Sequence, residues 1–245
     1  MDTIDLLWRR EVSATRRGRP PKYDTDQIVD TAITVADRVG SSFSLRDVAT
    51  DLGIPVMSLY SYVESRDQLV TLMADDVRAD MAHDPLPEPW RGQLAVIAHD
   101  NLTLFLAHPW MAELESEREI LGPGTLAKYE HELGVVESLG LSDVEKDAVL
   151  TLIHDYARAN ARSIVAAGRE RAQEDPAQWW EREGAKLAVL GIEARFPLAS
   201  RVGAAAGEAQ GAARDADYAY RFGLDLILDG IAARLDSPDS PTTDE

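Results

Sequence analysis

The 245-residue chain has no cysteine, which excludes disulfide frameworks and thiolate metal sites. No apolar run approaches the roughly 18 residues of a membrane-spanning helix. The opening Met1-Asp-Thr-Ile-Asp-Leu-Leu-Trp8 lacks a basic stretch followed by a long apolar one, so it does not read as a secretion signal. The expectation is a cytoplasmic protein without a membrane partner. Period-two alternation is missing too, and no Asn-Gly or Asp-Gly turn sits between β-branched runs, so strands are not expected. Enzyme signatures are equally scarce. The histidines (His83, His99, His108, His131, His154) are scattered, with no His-Glu-x-x-His spacing. There is no Gly-x-Ser-x-Gly, no Walker-type phosphate loop and no Gly-x-Gly-x-x-Gly. His154 and Asp155 are adjacent on a helix, where neighbours point about 100° apart and cannot work as a pair. They read as satisfied core or surface residues, so no enzyme, cofactor or metal is expected.

What is present is the composition of an ordinary globular chain, 45% hydrophobic and 28% charged. Its net charge of −18 argues against a nucleic-acid partner until its distribution is examined. Residues 1–66 hold 9 Lys/Arg against 10 Asp/Glu, whereas the rest hold 16 against 33. Within residues 9–22, Arg9, Arg10, Arg16, Arg17, Arg19 and Lys22 face Glu11 alone. Fields fade over about 8 Å at physiological salt, so a basic arm on a near-neutral head can bind a polyanion while the acidic body stays clear. A merely solvated tail is the alternative.

Helical punctuation runs throughout. Asp24 with Gln27 opens a first helix with the stripe Ile28, Val29, Ala32, Val35, Ala36 and Val39, closed by Gly40. Ser44 with Asp47 caps a short second helix ending at Gly53. Val56–Val63 follows as a third, and Ser65 with Gln68 starts a longer fourth. The Pro-rich stretch 84–89 marks a domain edge. Further helices are expected at about 89–107, 109–120, 124–139, 142–172 (capped by Ser142 and Glu145), 176–194 and 216–235. Residues 197–215, rich in Gly and Ala, read as a loop or a frayed short helix. The segments are a basic arm (1–22), a small helical head (23–84), a larger helical domain (85–235) and a disordered tail (236–245).

Residues 44–63 read as helix, glycine turn, helix. Ala49 is small where two helices cross, Gly53 supplies turn freedom, and Leu45, Val48, Leu52, Ile54, Leu59 and Val63 form the inward face. Val56, Met57, Ser58, Tyr60, Ser61 and Tyr62 remain as an uncharged outer face able to enter a major groove.

These residues resemble the DNA-binding domain of the TetR family. The match is carried by Gly40, Ser44-Leu-Arg-Asp-Val-Ala49, Leu52-Gly53, Ser58-Leu-Tyr60, Tyr62-Val63, Arg66 and Leu69, with Gly18-Arg-Pro-Pro21 similar to the arm of some members. The larger domain resembles the tetracycline-repressor branch through Pro89-Trp90, His108-Pro109-Trp110 and Gly122-Pro-Gly-Thr125. The resemblance implies an all-α regulator: an N-terminal three-helix helix-turn-helix domain plus a larger helical domain for ligand binding and dimerisation. Its partners would be a double-stranded operator, a second copy of itself and a small-molecule effector. It implies that Val56, Met57, Ser58 and Ser61 face the groove, that Arg46, Tyr60, Tyr62 and Arg66 contact phosphates, and that Arg16, Arg17 and Arg19 reach a minor groove. With no Arg, Asn or Gln on the recognition face, specificity would lean on thymine methyls, the arm and DNA shape. Packing of Tyr60 and Tyr62 on the fourth helix, a core Met57 and a solvated Arg46 are the alternatives.

For the implied effector pocket, the candidates are Asn101, Phe105, Trp110, Leu114, Tyr129, Tyr156, Asn160 and Trp180, apolar walls with sparse polar anchors. The helices at 142–172 and 216–235 are the candidate dimer interface. The last carries Phe222, Leu224, Leu226, Ile227, Leu228 and Ile231 on more than one side, with small Ala219, Gly223 and Gly230. A central core helix of a monomer, and an effector-free DNA-binding or protein-interaction regulator, are the competing readings.

Overall fold

The computed structural model describes residues 2–12, 23–81, 86, 88–114, 120–210 and 215–236, and every regular element among them is helical. The head is built from α3 (Thr25–Val39), α4 (Leu45–Asp51), α5 (Val56–Leu59) and α6 (Arg66–Ala79). Its caps are those expected. The Asp24 carboxylate accepts from the Asp26 amide while Gln27 accepts from the Asp24 amide, and Ser44 and Asp47 do the same for α4. Ser65 caps α6 through the Gln68 amide, but the Gln68 carbonyl reaches back to Glu64. Ile28, Val29, Ala32, Val35 and Ala36 are buried, whereas Val39, the last residue of α3, is largely exposed. The α4–α5 turn rests on Gly53 at φ +66, a conformation costly for any other residue, and closes with the Ile54 amide on the Ala49 carbonyl. Helix α5 ends at Leu59, short of the expected Val63. Beyond it the amides of Tyr62 and Val63 both turn back to the Leu59 carbonyl.

The body is centred on α10 (Asp143–Gln173), which packs along α7 (Trp90–Ala107) and also meets α8 (Pro109–Ala112), α9 (Pro123–Val136) and α14 (Ala216–Asp236). A 3₁₀ turn, Glu137–Leu139, extends α9. The helix expected at 109–120 is confined to α8, with residues 115–119 outside the described set. Three helices lie between α10 and α14 and pack chiefly on one another: α11 (Pro176–Val189), α12 (Ile192–Arg195) and α13 (Pro197–Gln210). Of the two readings of 197–215, a loop or a frayed short helix, α13 bears out the helix over residues 197–210, which at 14 residues is longer than expected. Its glycines are outnumbered by alanines, the best helix formers, and Pro197 occupies the first helical position, where a missing N–H costs nothing.

The N-terminal segment also departs from expectation. Residues within 3–12 form α1 (Thr3–Leu7) and α2 (Arg9–Val12), with Leu6 and Leu7 buried and α1 packed on α6. Arg9 reaches both Asp26 and Asp76, at 2.7 and 2.8 Å, and Arg10 reaches the same two carboxylates at 3.1 Å each. These two arginines therefore brace the head and are not free arm charges. Arg16, Arg17 and Arg19 lie outside the described residues, as does the tail after Asp236.

Candidate functional site

The outer face of the helix-turn-helix carries no charge. Met57 is 72% exposed and Tyr60 50% exposed, which removes the core alternative for Met57, and Ser61 is exposed beside them. Val56 and Tyr62 are half-buried and pack against the core, and Ser58 is half-buried between the two groups. Beneath this surface Leu59 and Val63 are buried, so the exposed side chains stand on a fixed base. Arg46 projects into solvent from α4.

Arg66 is differently employed. Its Nε donates to the Phe43 carbonyl at 2.8 Å, its Nη2 donates to the Ser41 carbonyl, and the guanidinium stacks 4.5 Å from the Phe43 ring centroid. It thus ties the α3–α4 loop to the start of α6. Arg66→Ala is expected to cost about 1–3 kcal/mol, because two loop carbonyls lose their donor. In a salt titration of DNA affinity, a bracing role leaves the slope unchanged, whereas a lost phosphate contact reduces it by about one.

The pocket candidates divide. Asn101 is 2% exposed and donates from Nδ2 to the Ile97 carbonyl and to Glu132 Oε1, both at 2.9 Å. Glu132, 3% exposed, also takes Lys128 Nζ at 2.8 Å and His154 Nε2 at 2.7 Å. Burial pushes this carboxyl up, but His154 and Lys128 outweigh it and hold it at about 2. Burial in turn holds Lys128 below the ordinary lysine range against the pull of Glu132. Asn101 is thus part of a closed polar brace joining α7, α9 and α10, and His154 is satisfied as expected. Tyr129 donates to Asp147, tying α9 to α10. Tyr156 donates to the Tyr220 carbonyl at 2.8 Å and stacks on its ring, while Asn160 is satisfied by the Tyr156 carbonyl. Leu114 is half-buried at the end of its described segment. Trp180 is exposed on α11, stacked on Trp179, and is not brought to the others. Phe105 lines a cavity of about 250 Å³ between α7, α8 and α10.

A family model described as tetracyclin repressor-like, C-terminal domain, matches residues 84–235. The HTH-type transcriptional repressor DrrR1 of Streptomyces coeruleorubidus is 31% identical over 234 residues, covering 94% of this chain and 84% of the relative. The chain belongs to the TetR family. Among solved structures, apo ActR from Streptomyces coelicolor is 26% identical and covers 90% of this chain and 100% of its own, with a TM-score of 0.70. The same protein in complex with actinorhodin is 25% identical and covers 88% and 99%, with a TM-score of 0.64. No helix among the described residues is long and apolar enough to cross a membrane.

As a TetR-family regulator, the chain must connect its DNA-binding head to its larger domain. Two of the three motifs that resemble the tetracycline-repressor branch, His108-Pro109-Trp110 and Gly122-Pro-Gly-Thr125, sit at that junction. Asp37 of α3 accepts from Trp110 Nε1 and pairs with His108 Nδ1, each at 2.8 Å, and Ser41 bonds Glu113 beside them. Trp110 itself is 1% exposed, so this candidate serves the junction. On the other side, Asp75 of α6 accepts from the amides of Gly124 and Thr125, at 3.2 and 2.8 Å. It caps the N-terminus of α9, whose own cap position is Gly122 and offers no side chain. Trp8 Nε1 adds a third tie, to the Leu121 carbonyl at 2.9 Å. Sequence reasoning named the motifs but missed Asp37, Asp75 and Trp8.

Proposed function

We propose that this TetR-family chain acts in the cytoplasm as a homodimeric repressor, leaving a pseudo-palindromic operator when a small molecule occupies its large domain. The observation that carries the reading is the exposed, uncharged face of Met57, Tyr60 and Ser61 on a head fastened to the body through both α3 and α6. Val56, Met57, Ser58 and Ser61 meet the groove. Arg46, Tyr60, Tyr62 and Arg66 meet phosphates, with Arg16, Arg17 and Arg19 reaching a neighbouring minor groove. The recognition helices of the two copies stand about 34–36 Å apart, one turn of DNA. Dimerisation through α10 and α14 is supported by α14 itself. Tyr220, Leu224, Leu228 and Ile231 face the core while Tyr218, Phe222 and Leu226 are more than half exposed on its other side. An effector is supported by the ActR complexes and by the head–body ties, since a ligand that favours one body conformation shifts the head with it.

Selection of genomic fragments by the purified chain, followed by salt-titrated binding to the recovered site, tests the reading. A two-fold-symmetric site bound with a steep salt slope is expected; recovery of no sequence above background would overturn it. On that site Tyr60→Phe weakens binding to all variants about equally, whereas Ser58→Ala changes their ranking; an unchanged ranking removes Ser58 from the groove-reading set.

A further inference from the structure

The large domain is strongly acidic, and several of its cations answer to carboxylates: Arg91 to Asp225 and Asp229, Lys146 to Glu137 and Asp143, Arg234 to Glu145. Several described arginines have no such partner, and three of them share one helical face of α10 that borders a cavity. Arg158, Arg162 and Arg169, four and eleven residues apart in register, have no carboxylate within ion-pair distance among the described residues. Arg162 and Arg169 line the cavity between α7, α8 and α10, and Arg158 stands one turn away with its guanidinium 5.7 Å from the Phe105 ring that forms part of the wall. Arg158 Nε is buried without a hydrogen-bond partner, a state that costs free energy unless something arrives to accept from it. Arg162 Nε is held by the Ala112 carbonyl at 2.5 Å, which aims that side chain at α8. The remaining wall is apolar, with Pro109, Ala161 and Val165.

Resting on the effector reading above, we infer that this cavity binds a flat aromatic molecule carrying an acidic group. The ring system lies against Phe105 and the apolar wall, and the carboxylate or acidic phenolate is received by Arg158 and the two arginines beyond it. Guanidinium is suited to this task because its planar fork of donors matches a carboxylate and its weak hydration lets it sit beside an aromatic face. Size supports a small ligand. A cavity of about 150 Å³ accommodates one benzene ring, so about 250 Å³ suits a fused bicycle. Glu113, on the opposite wall and bonded to Ser41 of the head, is the carboxylate among the described lining residues that the ligand's acid would face, and its repulsion acts directly on the junction.

The test is calorimetric titration of the full chain with 2-naphthoate and with the neutral, equally sized 2-naphthalenemethanol. The acid is expected to bind at least about tenfold more tightly, the worth of a charge-assisted hydrogen bond in a sheltered site. Arg158→Gln, with far-UV circular dichroism and operator affinity unchanged, is expected to erase that preference and leave the alcohol's affinity as it was. Equal affinities in the wild type, no binding of either probe, or a preference that survives Arg158→Gln each overturn the assignment. Should Arg158→Gln fail to fold, Arg169→Gln on the exposed end of the row decides: a preference undiminished there overturns it as well. Operator release is measured separately. Acid binding without release sinks the effector reading and leaves the site, while release by a compound indifferent to Arg158 does the reverse.

Discussion

Glu132→Gln is expected to lower the melting temperature of the chain by on the order of 10 °C at neutral pH. The carboxylate is the centre of a brace that receives Asn101 from α7, Lys128 from its own helix and His154 from α10, and it is almost wholly buried. Removing its charge leaves the buried Lys128 ammonium without compensation, the situation in which breaking an internal pair costs about 3–5 kcal/mol. The pH dependence carries a sign. Glu132 titrates at about 2 in the folded chain, below its ordinary 4.5, so its contribution is complete above about pH 4.5. It is lost as the pH falls from there through about 2. The gap in melting temperature between wild type and Glu132→Gln should therefore be widest near neutrality and narrow between pH 4.5 and 2. Thermal melts across that range check it. A gap that is small at neutral pH, or does not narrow in acid, shows that the brace does not stabilise the body in its ionised form.

The parts of this fold that were legible in the sequence are the local ones. Asp24 with Gln27, Ser44 with Asp47 and Ser142 with Glu145 mark helix starts because each bond spans three residues or fewer, and all three are found. The recognition face was legible for the same reason: Gly53 fixes the turn, and the alternation of buried Leu59 and Val63 with exposed Met57 and Tyr60 is set by the residues themselves. What failed was long-range. Arg9 and Arg10 looked like the first charges of an arm because Asp26 and Asp76, 17 and 67 residues away from Arg9, cannot be seen from the local composition. Arg66 fits a phosphate contact by motif, and that motif does not reveal the loop carbonyls 23 and 25 residues earlier that it also holds. Residues 197–210 are ambiguous in sequence for a different reason: glycine as a breaker argues for a loop while the more numerous alanines argue for a helix, and the helix wins. The aromatic pocket candidates show the limit of residue type as a signal. Trp110, Tyr129 and Tyr156 each turn their polar atom to a bracing partner, whereas the unpaired Arg158 near Phe105 was not singled out at all.

The Asp75 joint offers the sharpest test of how the head is held. A Cβ at Gly124 would stand 2.2 Å from the Asp75 carbonyl oxygen and 2.9 Å from the Ala79 amide nitrogen, and neither can rotate aside because both are backbone of α6. Gly124→Ala must therefore drive α9 away from α6, at a cost of about 3 kcal/mol or more. Helix α6 also carries Leu69, Leu72 and Met73 of the head core, so the displaced contact is the one that fixes the angle of the recognition helix. Operator affinity should fall at least about tenfold while the helix content stays that of a folded chain. At Gly122 the obstacle differs: a Cβ there meets the Asp75 carboxylate at 2.3 Å, the movable end of a side chain. Gly122→Ala should accordingly cost less, and it should add little on top of Asp75→Ala, since that change removes both the obstacle and the α9 cap at once. Asp75→Ala should give Gly124→Ala no such relief, because the backbone of α6 remains in place. Melting temperatures and operator affinities of the three single and two double variants decide the matter. Full additivity of Gly122→Ala with Asp75→Ala would mean that the carboxylate is not what holds α9 against α6, and the joint would have to be sought at Asp37 and Trp110 instead.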